Sequence, residues 1–374
     1  MHCGIRRARA DLAVVRSCVR ATGAAMFTVN RLQAAPVTVS REHLGLAEPQ
    51  AVVINSGVAN AATGARGERD ARTTAAGAAG LLMLAPAEVL VLSTGVIGEP
   101  LPLQRVLAGL AAAVRALSPG GGADAAEAIL TTDTRTKLAV SRGPGFTVGG
   151  MAKGSGMIHP HLATMLAVLT TDYPLAPGEA LDFLRPAVEV SFNSISVDGE
   201  CSTNDAVVLL ANGASGLERS PASDAAFVLA LRRACTDLAS QIVADGEGAT
   251  VLAEIRVEGA ATGPEARAIA RRIATSPLVK TALFGHDANW GRVLAAAGSA
   301  PFNGGYAQLE PDRLTLRYAG ATVVSGGVVQ EVEPDVSGAN CTIELDLGLG
   351  DGCASYLTSD LSYDYVRINA DYHT

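Results

Sequence analysis

The sequence predicts a mixed α/β fold of stacked α and β layers, and three observations predict it. Two continuous apolar runs, rich in β-branched residues, end in glycine turns. Apolar residues at three- and four-residue spacing mark helices between and after them. The strand-like segments of the last third follow one another without the strict alternation of a doubly wound sheet. At 374 residues the chain is long enough for two domains or one large α/β unit. Apolar residues make up 48% and charged residues 18%, which argues against disorder, while aromatics are only 4%, so the core must be built from small and aliphatic side chains.

Taken in order, QAVVINSGVANA carries Val52, Val53 and Ile54 ahead of Ser56-Gly57, and EVLVLSTGVIG runs from Val89 to Leu92 into Thr94-Gly95. Both read as strands covered on two faces. Over 103–117, Leu103, Val106, Leu107, Leu110, Val114 and Leu117 repeat with helical spacing, and PGGGAD at 119–124 reads as a loop. The apolar run after Thr164 is helix-like, and LRPAVEVSFNSISVDGECSTND is rich in turn formers. Residues 224–244 form the clearest helix: Phe227, Leu231, Leu238 and Ile242 share one face, and Gly246 and Gly248 stop it. VLAEIRV, RLTLRY, TVVSGGVVQEV, CTIELDL and YDYVRIN then read as strands. No internal repeat or low-complexity linker interrupts the chain.

Composition also excludes function classes. The formal net charge of −8, with no Lys/Arg cluster, speaks against nucleic acid; the same sign suits either a partly cationic small substrate or plain solubility. Six scattered cysteines without a CxxC pair fit free thiols in a reducing compartment. The opening MHCGIRRARADLAVV has no apolar signal-type region, and AAGAAGLLMLAPA is too short to span a bilayer, so a cytoplasmic location without a membrane partner is expected. KGSG lacks the spacing of a phosphate-binding loop. His159-Pro160-His161 lacks a third ligand cluster, so no metal is expected. Trp290 is either a packing anchor or a pocket wall.

The chemistry centres on MAKGSGMIHPHLATMLAVLTTD at 151–172. A threonine hydroxyl is a poor nucleophile unless a base sits beside it, and its own α-amine can be that base once the preceding peptide bond is cut. The freed amine has an ordinary pKa of about 7.7–8.0, close to working pH. Ala163 hinders attack little, and Gly154 and Gly156 allow tight backbone paths. On composition alone Thr164 is instead a helix cap.

The context decides between these readings. KGSGMIxPxxATMLxxxTTD, with Lys153, Gly154, Ser155, Gly156, Met157, Ile158, Pro160, Ala163, Thr164, Met165, Leu166 and Asp172, closely resembles the processing site of the ornithine acetyltransferase (glutamate N-acetyltransferase) family of arginine biosynthesis. NSGVANAATG, LSTGVIG, AILTTDT, SVDGECSTND, DGEGAT, ANWGR and the terminal YVRINADYHT resemble further motifs of that family, in the same order and over nearly the whole chain.

The resemblance implies a stacked α/β sandwich of the ornithine acetyltransferase and DmpA-type aminopeptidase kind. It implies self-cleavage at Ala163–Thr164 into an α chain, 1–163, and a β chain, 164–374, that stay together, in an α2β2 heterotetramer. It implies acetyl transfer from N2-acetylornithine to glutamate through an acetyl-Thr164 intermediate, with no cofactor; acetyl-CoA is an additional donor in some members. By residue-wise carry-over, Thr164 is the nucleophile, Thr94 and Gly95 form the oxyanion hole, and Thr131, Lys153, Thr164, Glu247, Asn369 and Thr374 bind substrate. The alternative from another class is an N-terminal-nucleophile amidohydrolase or aminopeptidase using the same threonine.

Read without the family, Thr94-Gly95 is a turn, Lys153 a solvent-facing lysine and Glu247 a solvated loop carboxylate. With it, Lys153 pairs with a substrate carboxylate or keeps the nucleophile's amine deprotonated, and Glu247 meets the cationic amine of ornithine. Two departures stand out. The chain opens almost directly at Gly4-Ile5-Arg6, where a leading strand and turn are usual, which puts an edge element in question. His159 and His161 replace small or amide residues near the cut; activity is expected to survive them.

Overall fold

An unbroken run of valine and isoleucine makes a strand whose two faces must both be covered, and this chain supplies both covers. In the computed structural model, which describes residues 1–159 and 165–371, the elements follow in chain order. Up to residue 244 the chain contains strands β1 (Leu12–Arg16), β2 (Thr22–Phe27), β3 (Ala51–Val58), β4 (Val89–Val96), β5 (Lys137–Gly143), β6 (Phe146–Lys153) and β7 (Leu166–Thr171), then the short β8 (Ile195–Ser196) and β9 (Ala206–Ala211). Among them lie helices α1 (Ala35–Leu44), α2 (Gly64–Leu82), α3 (Leu103–Arg115), α4 (Gly122–Ala128), α5 (Ala180–Glu189) and α6 (Pro221–Ala244). The remainder is β10 (Leu252–Ala260), α7 (Gly263–Ala274), α8 (Pro277–Phe284), α9 (Trp290–Gly298), a small hairpin β11 (Pro301–Phe302) and β12 (Gly305–Tyr306), β13 (Thr315–Tyr318), β14 (Ala321–Ser325), β15 (Val328–Val329), β16 (Asn340–Asp346), β17 (Gly352–Ser359) and α10 (Tyr363–Asp371).

The chain divides into two units. The first comprises Met1–Asn193 and Glu200–Ile242. It holds a three-stranded sheet, β1-β3-β4, and a five-stranded one, β2-β9-β7-β6-β5. Strands β3 and β4 are parallel, joined by the crossover helix α2; β7 and β9 are also parallel, and the other pairings in these sheets are antiparallel. Alternation along β3 explains the layers. Val52 and Ile54 face Met151, Leu166, Val168 and Val208 of the other sheet, whereas Val53 faces Ala75, Ala78, Val106 and Leu110 of α2 and α3. Helix α5 lies against β2 and β9, and α6 joins it through Phe183, Phe227, Tyr173 and Phe146, whose rings meet edge-on or stacked. The result is the expected stacked α/β sandwich, helix–sheet–sheet–helix. The small-residue composition makes it possible, because alanines at the helix–sheet contacts let the layers approach closely.

The second unit comprises Ser194–Gly199 and the chain from Val243. Its seven-stranded sheet has the order β15-β14-β13-β16-β10-β17-β8. Ile255, Val257, Ile343, Leu345 and Tyr356 of that sheet pack with Ile269 and Ile273 of α7, Val279 of α8 and Val293 of α9.

Three local expectations need correction. The run after Thr164 is strand β7, because Leu166–Leu169 enters the middle of a sheet and is buried on both faces; a short apolar run carries no period that separates strand from helix. YDYVRIN is helix α10: the Ser362 hydroxyl accepts the Tyr365 N–H, starting the helix as a cap does. The 119–124 loop ends at Gly121, since α4 begins at Gly122. The helix expected at 224–244 is present and starts slightly earlier, and Phe227, Leu231, Leu238 and Ile242 are fully buried.

Candidate functional site

In the first unit the site is built where strand ends from the two facing sheets meet. Strand β4 ends in Ser93-Thr94-Gly95, beside Gly57 of β3, and the pairing is irregular at that point. Gly95 has φ +131°, and a Cβ there would stand 2.2 Å from the Gly57 carbonyl carbon, so only glycine fits. The expectation of a turn after the apolar run is not met: Thr94 and Gly95 lie within β4, still paired with β3, and the threonine is buried.

From the facing sheet, β6 ends in Lys153, directly across from Leu166 of β7. Lys153 is 2% exposed, so the solvent-facing reading fails. Its ammonium donates to the Thr94 hydroxyl at 3.3 Å, crossing from one sheet to the other. It also lies 3.9 Å from the Asp133 carboxylate, which accepts a 2.7 Å bond from buried Lys137. Asp133 further accepts the N–H of Thr131 at 2.9 Å and of Gly154 at 2.6 Å, and the Thr131 hydroxyl faces it at 3.4 Å. Burial pushes the Asp133 carboxyl up, but Lys153, then Lys137 and the N–H donors, outweigh it and hold the group far below the usual carboxylate range. The carboxylate lies between two buried lysines.

A second carboxyl behaves in the opposite way. Asp205, fully buried, accepts the Met165 N–H at 2.8 Å, and burial pushes its pKa well above the ordinary value despite that bond, Lys153 and the Ser202 hydroxyl. Its Oδ2 has no hydrogen-bond partner among the described residues.

Thr94, Gly95, Thr131 and Lys153 are thus brought into one neighbourhood. Ala163, Thr164, His161 and Thr374 lie outside the described residues. Glu247 and Asn369 belong to the second unit, where they meet each other: Asn369 donates to the Glu247 carboxylate at 2.9 Å. That contact exists because Gly248, at φ +68°, fits against the start of α10, where a Cβ would stand 2.4 Å from the Tyr365 nitrogen. Among the described residues no group of three or more His, Cys, Asp or Glu side chains is arranged to hold a metal ion, and no helix is long and apolar enough to cross a membrane.

Sequence reasoning passed over Asp133, Lys137, Asn204 and Asp205. The signal was present. Asp205 immediately precedes the wholly apolar strand AVVLLA, and Asp133 closes a Thr-Thr-Asp turn; a carboxylate at the mouth of a buried strand needs partners.

This arrangement of strand-end donors and buried charges is accompanied by family-wide similarity. The model of the ArgJ family matches residues 1–374. The arginine biosynthesis bifunctional protein ArgJ of Thermobifida fusca is 46% identical over 355 residues, covering 94% of this chain and 91% of the relative. That of Symbiobacterium thermophilum is 48% identical over 378 residues, covering 97% and 92%. A crystal structure of the protein of the same name from Bacillus halodurans matches with a TM-score of 0.50 and 36% identity, over 54% of this chain and 97% of that one. The chain therefore belongs to the ArgJ family, enzymes of arginine biosynthesis that transfer acetyl groups.

Proposed function

We propose that this chain cuts itself at Ala163–Thr164 and then moves acetyl from N2-acetylornithine to glutamate through an acetyl-Thr164 ester. The observation that carries the reading is the contact of Lys153 with Thr94 across the two sheets, within one strand pairing of the residue that follows Met165. In self-cleavage the Thr164 hydroxyl attacks the Ala163 carbonyl. The amide nitrogen leaves as the Thr164 amine, and water hydrolyses the resulting ester. In transfer the amine takes the hydroxyl proton as the oxygen attacks the acetyl carbonyl. Negative charge on the tetrahedral oxygen is met by the Thr94 hydroxyl and the Gly95 N–H. Lys153 supports that hydroxyl and discourages protonation of the nearby amine. Collapse expels the ornithine amine, which takes the proton back. The neutral amine of glutamate then attacks the ester, giving N-acetylglutamate and regenerating the threonine.

Two observations bear on what processing would leave. Strand β7 of the 164–374 fragment lies between β6 of the 1–163 fragment and β9, so separated fragments would have to break a five-stranded sheet. The solved relative is matched over 97% of its own chain by 54% of this one, a share like that of residues 164–374. An α2β2 assembly, a cytoplasmic location, acetyl-CoA as an additional donor and the absence of any cofactor complete the reading. Thr131, Glu247, Asn369 and Thr374 are the remaining substrate contacts, with the Glu247 carboxylate suited to the side-chain ammonium of ornithine.

The test is incubation of purified protein with N2-acetylornithine, with and without glutamate. N-acetylglutamate formed only when glutamate is present supports the transferase. Acetate released at one rate in both, with no N-acetylglutamate, makes it a hydrolase instead. Thr164→Ala should leave the chain intact on a denaturing gel and inactive; a chain still cut at that bond excludes this hydroxyl as the agent.

A further inference from the structure

The loop before β9 contains two adjacent residues that reach opposite sides of the site. Asn204 is 5% exposed, and its side-chain amide donates to the Ser93 carbonyl at 2.8 Å and the Ala59 carbonyl at 2.7 Å. Its carbonyl oxygen accepts the Thr203 hydroxyl at 2.6 Å, so every polar atom of the group is engaged. The Ser93 carbonyl belongs to the peptide group whose N–H is that of Thr94, so its orientation fixes the approach to Thr94-Gly95 near the end of β4. Ala59 lies just past Gly57, against which Gly95 packs. The next residue, Asp205, holds the N–H of Met165, and the Ala206 N–H returns a 3.1 Å bond to the Met165 carbonyl. The Met165 N–H is part of the peptide group whose carbonyl carbon is that of Thr164.

We infer that Asn204-Asp205 is a positioning bracket that ties the Met165 backbone, the residue after the proposed nucleophile in sequence, to the strand end that carries the Thr94-Gly95 oxyanion donors; this rests on the acetyl-transfer reading. One short loop touches the Met165 backbone and the peptide group before Thr94 through two neighbouring side chains, and further hydrogen bonds hold it. Asn204 N–H donates to the Ser202 hydroxyl, the Ser202 carbonyl accepts the Thr28 hydroxyl, and the Asp205 carbonyl accepts the Thr28 N–H. Oxyanion donors are effective only when held within about 0.5 Å of their productive position, so a device that couples donor and nucleophile through one backbone link has a direct catalytic consequence. Burial raises the Asp205 pKa against the opposing pull of Lys153, and the carboxyl oxygen that faces Met165 is an acceptor in either protonation state.

The bracket is a set of positioning residues, and its test separates that role from simple support of the fold. Asn204→Ala should lower kcat for acetyl transfer about 100-fold with KM for N2-acetylornithine within about twofold, because misplacement is felt in the transition state and not in ground-state binding. Self-cleavage, followed on a denaturing gel, should slow in parallel, and Asn204→Ser, with one donor, should fall between. Asp205→Asn keeps an acceptor oxygen for the Met165 N–H and should stay within about fivefold of the parent, while Asp205→Ala falls as far as Asn204→Ala. The inference is overturned by an Asn204→Ala enzyme with kcat within about threefold of the parent, by a loss confined to KM, or by Asp205→Asn failing as completely as Asp205→Ala. Should a variant not fold by circular dichroism, the Asn204→Ser and Asp205→Asn rates decide alone. A parent protein that transfers no acetyl defeats the functional reading, and the cleavage rates of the same variants still judge the bracket.

Discussion

Of the buried lysines, Lys153 in the first unit and Lys280 in the second are held under opposite terms. Lys153 stands within reach of the anionic Asp133 and donates to Thr94. Lys280, on α8, donates to the Thr358 hydroxyl at 2.9 Å and to the Ser359 carbonyl, groups that carry no charge. Burial lowers the Lys280 ammonium to about 7, with Asp360 and Asp198 pulling the other way. Asp360 is itself occupied by the N–H groups of Thr250 and Val251 and by the Thr250 hydroxyl. The difference is instructive. A buried cation kept beside an anion remains a source of field, useful where charge develops during reaction. A buried amine satisfied by hydroxyl and carbonyl oxygens is a tie between elements, here between α8 and the end of β17.

The largest effect that tests this contrast is expected at Asp133. Replacing it with alanine leaves the buried ammoniums of Lys137 and Lys153 without the carboxylate that both face, which for a buried pair costs about 3–5 kcal/mol. Urea unfolding of Asp133→Ala should show a loss of that order together with loss of acetyl transfer. A midpoint unchanged from the parent would mean the cluster is far wetter than its burial implies.

How much of this was legible beforehand depends on what kind of signal each part leaves in the chain. Strands β3 and β4 were readable because β-branched runs have few other uses. Gly95 was readable through its motif but misread as a turn, since it lies within β4 at φ +131°. The nucleophile segment was readable through its motif and misread through its periodicity, since Leu166–Leu169 is apolar on every residue and becomes a central strand. YDYVRIN looked like a strand because tyrosine and valine favour one, and the cap from Ser362 that makes it a helix lies just outside that window. The charged cluster was the least legible part. Lys153 and Asp133 are twenty residues apart, and only the folding of β6 over the 131–133 turn makes them partners. The opening Gly4-Ile5-Arg6 gained meaning in the same way. Its N–H groups and those beside it are gathered by buried Asp11, and Arg6 donates to the Leu130 and Thr131 carbonyls, bracing the turn that carries Asp133.

Lys153 should show a large effect on rate and a smaller one on stability. In Lys153→Met, Asp133 keeps Lys137 and the Thr131 and Gly154 N–H donors, so its charge stays paired. The Thr94 hydroxyl, however, loses the cation behind it. A fall of about 100-fold in kcat, with the urea midpoint moved far less than in Asp133→Ala, is expected for loss of electrostatic support at an oxyanion site. Transfer at the parental rate would make Lys153 a structural cation like its neighbour Lys137 and erase the contrast.

The smallest effect belongs to Lys280, and its sign is fixed by the direction of the shift. Because the folded-state pKa is lowered from 10.5 to about 7, the unfolded chain binds more protons than the folded one between those values. Stability contributed by this residue therefore rises with pH across that window, by about 1.4 kcal/mol for each unit over which only the unfolded chain is protonated, and below pH 7 the full cost of burying the charge is present. Lys280→Met removes that dependence together with the bonds to Thr358 and Ser359. The substitution should consequently be most damaging near pH 10, where the neutral amine makes its bonds without a burial cost, and least damaging at pH 6, where methionine spares a buried charge. Melting temperatures of parent and variant measured from pH 6 to 10 should diverge as pH rises. Parallel curves, or a gap that widens toward acid, would show that Lys280 keeps its proton through the burial, and would place it beside Lys153 as a charge held by the nearby carboxylates Asp360 and Asp198.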